Sequence, residues 1–475
     1  MIFELAGSRM LAPYLGTSIF VWTSIIGVIL GSLSIGYWLG GKLADKKTSF
    51  DFLSSIILGA ACAIFFVFIV KDLILYLFQL GRFGIEVSSF LSSLFLFAPA
   101  SILLGIVSPY ATRLKITNLE NSASTVGNLY AISTVGSIAG TFFAGFFLIP
   151  HLGTTNIILL LSATLVITSI VLSRRLAVFQ VVVLTAVLGS FWINKYIQQN
   201  LENLGIRVID TEYNQVVLSE DTDKKTKKPA LFLLTDPFVT QSAMFLEDSD
   251  LVFEYTKFFR LANHFKPDLK KSLMLGGCAY SYPKDYLKKN PEALLDVVEI
   301  DPGMTTIAKE YFNLKDNPRL AIYHEDGRTF LNRINEKYDV IFGDTFNSFS
   351  IPFQMSTRET ASRQYDILND DGLVILNMIS AIEGKSGKFL RAEYATYRSI
   401  FPQVYIFPVT EPDDGAKIQN VILIALKSDK QPDFKSEDPE LDSYLKNRWT
   451  GAIANDVPII TDDFAPVEYY RYQTI

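Results

Sequence analysis

Six long apolar runs crowd into the first 194 residues of this 475-residue chain, at about 17–40, 52–71, 87–112, 125–149, 154–173 and 176–194. A hydrocarbon core of about 30 Å needs roughly 20 apolar residues in helical form. One such run is also typical of a buried core helix, but six in succession predict a multi-pass bundle in the cell membrane. Residues 1–14 predict a further short helix, so we assign residues 1–194 to a transmembrane bundle of six to seven helices. Glu4 and Arg9 are candidates for an ion pair within it.

The chain changes character after residue 194. Residues 1–194 carry ten Lys or Arg and six Asp or Glu, whereas the remainder carries 33 and 43. The second half is therefore acidic and has no basic stripe, which argues against a nucleic-acid partner. We interpret 195–206 as a linker, 207–270 as a small β region and 271–475 as an α/β domain.

Short strands alternate with helices in the α/β domain. Buried strands are predicted at 272–275, 295–300, 320–323, 338–342 and 372–376, with helical stretches such as Pro302–Tyr311 between them. This alternation predicts a parallel, Rossmann-type sheet with helices on both faces. Ligands of such sheets bind at the carboxyl ends of the strands.

Four successive strand ends carry glycine or acidic residues. They are Gly276 and Gly277, then Glu299 and Asp301, then Asp326 and Gly327, and finally Asp344. Glycines let the backbone approach a ligand, and an acid after the second strand can accept both ribose hydroxyls. Asp326 suits an adenine amino group, and Asp344 would face the reacting carbon. Helix capping explains one or two of these acids, but the whole set predicts an adenosyl-binding site.

The same stretches resemble spermidine synthases, which have the methyltransferase fold. The resemblance rests on Asp-Val-Val-Glu-Ile-Asp at 296–301, Glu-Asp-Gly-Arg at 325–328 and Tyr-Asp-Val-Ile-Phe-Gly-Asp at 338–344. The membrane half is similar to bacterial proteins that fuse a transporter-like bundle to a spermidine-synthase-like domain. Its matching stretches are Ser-Arg-Met-Leu-Ala-Pro-Tyr at 8–14 and Gly-Tyr-Trp-Leu-Gly-Gly at 36–41.

The resemblance implies roles for individual residues. Glu299 matches the glutamate that binds ribose, and Asp326 with Gly327 matches the pair on the adenine side. Asp344 matches the acid that accepts a proton. Asn214 stands where the family has a glutamine that contacts the donor.

Three features depart from the family pattern. Ala279 replaces the aspartate that holds the donor's amino group, and Asn347 replaces a second acid that grips the diamine. The aromatic–polar pair that helps to hold the donor reads Glu254-Tyr255. A site without these carboxylates binds a dicationic acceptor more weakly. The same site no longer repels a donor that keeps its own carboxylate.

These departures lead us to favour cleavage of S-adenosylmethionine by its own carboxylate, a lyase reaction giving homoserine lactone and methylthioadenosine. The alternative is aminopropyl transfer from decarboxylated S-adenosylmethionine to a polyamine, with Asp344 as base. Methyl transfer ranks third. A transporter or sensor that binds an adenosyl ligand without turnover is a further alternative. No cofactor beyond the donor is expected.

The remaining expectations concern metals, partners and orientation. Two isolated cysteines and three isolated histidines predict neither a disulfide framework nor a zinc site. The expected partners are the small-molecule donor and the lipid bilayer, and a homo-oligomer is compatible with the sequence.

Lysines and arginines cluster in alternate loops on one face of the membrane, and the positive-inside rule makes that face cytoplasmic. The donor is a cytosolic metabolite, so we expect the soluble domain in the cytoplasm. Either segment 176–194 then does not cross, or one assigned span is wrong.

Overall fold

The computed structural model describes residues 1–46, 48–80, 83–116, 122–236, 239–345 and 352–472. It divides into two compact units, Met1–Gln215 and Val216–Ile475. The first unit is helical apart from its last residues. Its helices are α1 (Ile2–Leu15), α2 (Ile19–Lys46), α3 (Phe50–Leu80), α4 (Ile85–Lys115), α5 (Ser122–Phe143), a π-helical turn (Ala144–Leu148), α6 (Ile149–Leu172) and α7 (Ala177–Asn203), followed by strand β1 (Ile206–Asp210).

Among the described residues, five helical segments are long and apolar enough to cross a membrane. They are Ile19–Lys46, Phe50–Phe78, Ile85–Lys115, Ser122–Leu172 and Ala177–Asn203. The fourth segment contains two of the predicted runs, and a kink at Gly153, where φ is 68°, separates them. The helices extend beyond the apolar runs because polar flanking residues continue a helix that the apolar part has already nucleated.

Glycine allows α2 and α4 to pack at very short range. A Cβ atom on Gly36 would lie 2.8 Å from the Cα atom of Gly105 and would overlap the carbonyl oxygen of Ile102. Apolar side chains gain little by leaving lipid, so helices in a membrane associate through such close contacts.

Helix α7 runs back along α6. Ser54 on α3 bonds to Ser169 near the end of α6 over 2.8 Å, and the amide nitrogen of Gln180, at the start of α7, donates to Ser169 over 2.9 Å. At the far end of α6, the carboxylate of Asp210, beyond the end of α7, lies against Gly153. Helix α7 therefore spans the length of α6. It also continues through residues 195–203, which the sequence had assigned to a linker.

The segment that follows α7 is anchored to the bundle. Arg9 of α1 donates to the carbonyl oxygens of Thr211 over 3.0 Å and Glu212 over 2.6 Å, and also to that of Tyr213. The Asp210 carboxylate sits where the helix resumes after Gly153, and a negative charge at a helix N-terminus is favourable. These contacts tie residues 210–213 to two different helices.

The second unit opens with an antiparallel ladder of β2 (Gln215–Thr222), β3 (Pro229–Leu234) and β4 (Thr240–Phe245). Leu218 pairs with Leu233, and Phe232 pairs with Ala243. The small β region was predicted from the first strands, whereas β4 was missed because its Thr-Gln-Ser start lacks an alternating apolar pattern.

The α/β domain contains a seven-stranded sheet in the order β10-β11-β9-β8-β5-β6-β7. Numbered within the sheet, this order reads 6-7-5-4-1-2-3, and the fold is Rossmann-like and methyltransferase-like. The strands are β5 (Lys271–Leu275), β6 (Leu294–Val298), β7 (Leu320–Tyr323), β8 (Tyr338–Gly343), β9 (Leu368–Ser380), β10 (Gln403–Pro408) and β11 (Gln419–Leu426). The helices are α8 (Glu254–Phe258), α9 (Ala262–Phe265), α10 (Ser281–Lys289), α11 (Pro302–Tyr311), α12 (Gly327–Arg333), α13 (Arg358–Ile367), α14 (Lys388–Arg398), α15 (Pro439–Leu445) and α16 (Val467–Tyr472).

The sheet is mixed, whereas a purely parallel one was predicted. The five strands from β9 to β7 are parallel, but β11 runs antiparallel to both β9 and β10. Strands β10 and β11 follow α14 and form a hairpin. They pair antiparallel because no crossover helix lies between them. Apolar cores cover both faces, one around Leu376 and Phe389 and the other around Phe342 and Ile375.

Candidate functional site

The predicted glycine loop meets the end of β8 at the point where the strand order reverses. Gly276 follows β5 with φ of 90°, and a Cβ atom there would overlap the backbone carbonyl of Asp344. The backbone nitrogen of Asp344 donates to the carbonyl oxygen of Leu275 over 2.9 Å. Because only glycine combines this φ with so close an approach, the loop brings the ends of β5 and β8 together. Crevices at such switch points are where α/β sheets bind ligands.

Glu299 lies beneath this loop at the end of β6. Its Oε2 accepts from the backbone nitrogens of Gly277 over 2.9 Å and Cys278 over 2.8 Å, and its Oε1 accepts from that of Asp301 over 3.0 Å. Burial raises the pKa of Glu299, and these three N–H donors act in the opposite direction. A carboxylate offers about four acceptor positions. To hold both ribose hydroxyls, Glu299 must therefore share or release one of its backbone bonds.

Asp301 and Asp326 both cap helices. Asp301 accepts from the backbone nitrogen of Gly303 over 3.0 Å at the start of α11, and Asp326 accepts from that of Thr329 over 2.9 Å at the start of α12. The other oxygen of Asp326 lies 3.5 Å from the amide nitrogen of Gln354. Asp301 thus caps α11, whereas Asp326 caps α12 and keeps its other oxygen turned towards Gln354.

An apolar surface adjoins Asp326. The sulfur of Met355 would lie 3.4 Å from a Cβ atom on Gly327, and a methyl carbon of Leu275 lies 3.8 Å away from the same point. A thioether and an aliphatic side chain beside a carboxylate suit a flat, partly polar ring. This surface is compatible with the adenine role that the sequence assigned to Asp326 and Gly327.

Asp344 is held by two neutral donors. The hydroxyl of Tyr255 donates to its Oδ2 over 3.1 Å, and the side-chain amide of Asn377 donates to its Oδ1 over 3.0 Å. Burial raises the pKa of Asp344 to about 6, and both hydrogen bonds act against that rise. The carboxylate is thus ionised at neutral pH yet close to protonation, which suits a general base.

The groups around Asp344 keep their own protons. Burial and the adjacent Asp344 carboxylate raise the pKa of Tyr255 far above its usual value. Burial, Glu299 and Asp344 likewise raise the pKa of the Cys278 thiol. A thiol that stays protonated is a poor nucleophile, so Asp344 is the group best suited to accept a proton here.

The three departures from the family pattern fall in different places. Ala279 is fully buried in the glycine loop and contributes no charge. Asn347 lies outside the described residues. Tyr255, of the predicted pair Glu254-Tyr255, reaches Asp344, whereas Glu254 bonds to Lys225 over 3.1 Å at the surface. Asn214 belongs to the first unit and lies in a turn, where its backbone nitrogen and carbonyl oxygen both hydrogen-bond to the hydroxyl of Thr211. Its predicted contact with the donor stays a prediction.

Sequence reasoning missed Asn377, Asn420 and Gln354. The amide nitrogen of Asn420 donates to the side-chain oxygen of Asn377 over 3.0 Å, so both belong to the surroundings of Asp344. A usable signal existed for the first two. Asn377 interrupts the apolar run Leu-Val-Ile-Leu-Asn-Met-Ile at 373–379, and Asn420 begins the run Asn-Val-Ile-Leu-Ile at 420–424. A polar side chain buried in such a run needs a hydrogen-bond partner.

Known proteins resemble the second unit. Residues 254–432 match the family model of the spermine/spermidine synthase domain. A polyamine aminopropyltransferase of Vibrio vulnificus is 28% identical over 179 residues, which is 37% of this chain and 58% of that protein. A "Probable polyamine aminopropyl transferase" of Bifidobacterium longum is 33% identical over 130 residues, 27% of this chain and 28% of its own length. The chain thus spans between about a quarter and three fifths of these relatives.

Among solved structures, a probable spermidine synthase from Corynebacterium glutamicum is similar, with 21% identity and a TM-score of 0.43. The matched region covers 52% of this chain and 88% of the Corynebacterium glutamicum chain.

Proposed function

Because residues 254–432 carry a spermine/spermidine synthase domain, we propose that this chain is a membrane-anchored enzyme that transfers an aminopropyl group from decarboxylated S-adenosylmethionine to an amine. The observation that carries the proposal is the arrangement around Asp344. A partly buried carboxylate, held by Tyr255 and Asn377 and poised near neutral pH, is what deprotonation of an attacking amine requires.

The reaction needs little more than this base and correct positioning. The amine nitrogen attacks the donor carbon beside the sulfonium, a C–N bond forms and the C–S bond breaks. The electron pair of that bond neutralises sulfur, so methylthioadenosine leaves uncharged. Asp344 takes the proton that the amine loses. Holding both reactants in line supplies much of the remaining acceleration, at best roughly 7–11 kcal/mol.

The donor's adenosyl end would lie along the strand ends. Gly276 and Gly277 allow close approach, Glu299 accepts ribose hydroxyls, and Asp326 beside Gly327 meets the adenine. Asp301 would act through the cap of α11 rather than by direct contact. The proposal needs no metal and no cofactor besides the donor.

Lyase cleavage of S-adenosylmethionine to homoserine lactone is the second candidate. The buried, uncharged Ala279 favours it, because a donor that keeps its carboxylate meets no opposing acid in the glycine loop. An intramolecular carboxylate nucleophile, however, requires no base. The hydrogen-bonded Asp344 is better explained by amine transfer.

Product analysis separates these reactions. Full-length protein in detergent is incubated with decarboxylated donor plus putrescine, and separately with S-adenosylmethionine alone, and products are identified by mass spectrometry. We expect methylthioadenosine together with an aminopropylated amine only in the first mixture. Methylthioadenosine from S-adenosylmethionine alone would establish the lyase instead, and bound donor without any product would favour a sensor or transporter.

The variant Asp344→Asn tests the role of Asp344 as the base, because the amide keeps the size of the side chain but accepts no proton. We expect product formation to fall by about 10²–10⁴-fold, while binding of methylthioadenosine is retained. Full activity in this variant would remove Asp344 from the mechanism.

A further inference from the structure

Asp344, Asn377 and Asn420 form a polar row across three neighbouring strands. Gly343 of β8 pairs with Leu376 of β9, so the residues that follow them, Asp344 and Asn377, lie side by side. Asn420 of β11 pairs with Ile379 and lies diagonally across from Asn377 on the same face. The two hydrogen bonds that join the row are both 3.0 Å long, and Asn377 is 4% exposed.

The row has a direction. An ionised carboxylate only accepts hydrogen bonds, whereas a carboxamide donates at one end and accepts at the other. Asn420 donates to the oxygen of Asn377, and this leaves the NH₂ group of Asn377 facing Asp344. A rotated Asn377 would instead place a carbonyl oxygen beside the carboxylate, and two acceptors in contact repel each other.

We propose that Asn420 is a positioning residue for Asp344: it holds the amide of Asn377 in the one orientation that stabilises the Asp344 carboxylate. This proposal rests on the proposed function of Asp344 as the base. Asn420 itself acts only through Asn377. Its role is to keep Asp344 ionised at the pH at which an amine must be deprotonated.

The other groups that face Asp344 do not substitute for this row. Tyr255 approaches from α8 and Cys278 from the glycine loop, and burial keeps both protonated through neutral pH. Residues 346–351, which follow Asp344 in the chain, read Phe-Asn-Ser-Phe-Ser-Ile and contain no titratable side chain. A change in the acidic limb of the pH profile therefore reports on Asp344 and the residues bonded to it.

Asn420→Leu tests the proposal in the full-length protein. It removes the donor to Asn377 without adding a charge. We expect the acidic limb of the kcat profile to move upward by about half a pH unit or more, since the ionised form loses support. The rate near pH 5 should fall about threefold or more, while the rate at pH 8.5 changes less than about twofold. Asn420→Ala, which also removes the donor to Asn377 without adding a charge, should shift the limb in the same direction and carries the test if the leucine variant does not fold.

Gln403→Leu is the matched control. It removes another buried carboxamide from the same sheet, one that donates to the carbonyl oxygens of Ser428 over 2.6 Å and Lys430 over 2.9 Å. We expect Gln403→Leu to lower stability without moving the acidic limb. An unchanged limb in both Asn420 variants, or an equal shift in Gln403→Leu, would overturn the positioning role.

A second readout does not depend on activity. The melting temperatures of the parent and the Asp344→Asn protein are compared from pH 4 to pH 8. Their difference grows above the pKa of an unfolded aspartate, about 3.9, and levels off at the pKa of Asp344 in the folded protein. We expect the difference to level off at higher pH in the Asn420→Leu background than in the parent. If catalysis by Asp344 failed but this shift were seen, the row would stand and only the proposed function would fall. No shift would overturn the row itself.

Discussion

The hydroxyl of Tyr255 donates to Oδ2 of Asp344 over 3.1 Å, so a residue of α8 stabilises the charged form of an acid at the end of β8. We predict that Tyr255→Phe raises the pKa of Asp344. A hydrogen bond to a charged group contributes roughly 1.5–3 kcal/mol, which corresponds to about one to two pH units at most. The measurement is the acidic limb of the rate profile, which should move upward.

Tyr280→Phe is the control for that variant. Its hydroxyl is also buried, but it bonds to Thr305 over 2.7 Å rather than to Asp344. We expect no movement of the acidic limb. A shift of equal size in both variants would mean that loss of any buried hydroxyl in this region perturbs the site, and Tyr255 would lose its specific role.

Gly276→Ala is predicted to unfold the site. A Cβ atom would overlap the Asp344 carbonyl, and φ of 90° is strained for alanine. Gly384 provides a comparison, because its φ is 65° and no atom lies within 4 Å of an added Cβ. The backbone of Gly384, with φ of 65° and ψ of −165°, lies in a region that nearly only glycine adopts, and such strain costs on the order of 1–3 kcal/mol, so Gly384→Ala should lose about that much stability. Overpacking adds typically 1–3 kcal/mol, and Gly276→Ala should lose correspondingly more. Equal melting temperatures would refute the overlap.

We predict that the stability of the folded protein depends on pH through Glu393 on α14. It is 1% exposed, and burial raises its pKa to about 8. The unfolded chain releases this proton near pH 4.3, whereas the folded protein retains it until about pH 8. Stability attributable to Glu393 is therefore present at low pH and is lost as pH rises between these values, by at most roughly 5 kcal/mol.

Glu393→Gln cannot ionise and should escape this loss. We predict that its melting temperature equals that of the parent near pH 4 and exceeds it at pH 8. Thermal unfolding at the two pH values measures the difference. A constant difference across the range would show that Glu393 does not titrate between them.

Helix α7 is predicted to cross the membrane completely, because its two ends contact opposite ends of α6. Arg175, which precedes α7, and Glu202, near its end, are both exposed at the side chain, by 72% and 58%. In a background lacking Cys62 and Cys278, Arg175→Cys and Glu202→Cys should be labelled by an impermeant maleimide from opposite sides of sealed vesicles. Labelling of both from one side would restore the alternative that α7 does not cross. If α7 crosses, Glu202 lies on the side opposite Arg175 and the other basic loops, so the side that labels Glu202→Cys decides between the positive-inside orientation and the expected cytoplasmic position of the second unit.

Sequence patterns predicted the fold class because they depend on local properties. Apolar runs of about 20 residues reported helices long enough for a membrane, and the strand–helix alternation reported a Rossmann-type sheet. Pro302–Tyr311 was predicted with its observed bounds. Strands β10 and β11 were not predicted, although 420–424 contains an apolar run, and their antiparallel direction depends on pairing with distant residues rather than on periodicity.

The sequence by itself also determined which residue types stand at the strand ends, since glycine and acid following an apolar run can be read directly. Only the tertiary structure decided what each of them does. Asp301 is occupied as a helix cap, Glu299 is bonded to the glycine loop, and Asp344 is held by Tyr255 and Asn377. Those partners lie on separate elements, so no local pattern records them. The charge state of Asp344 depends on burial and on the direction of its hydrogen bonds, and both exist only when the strands are assembled.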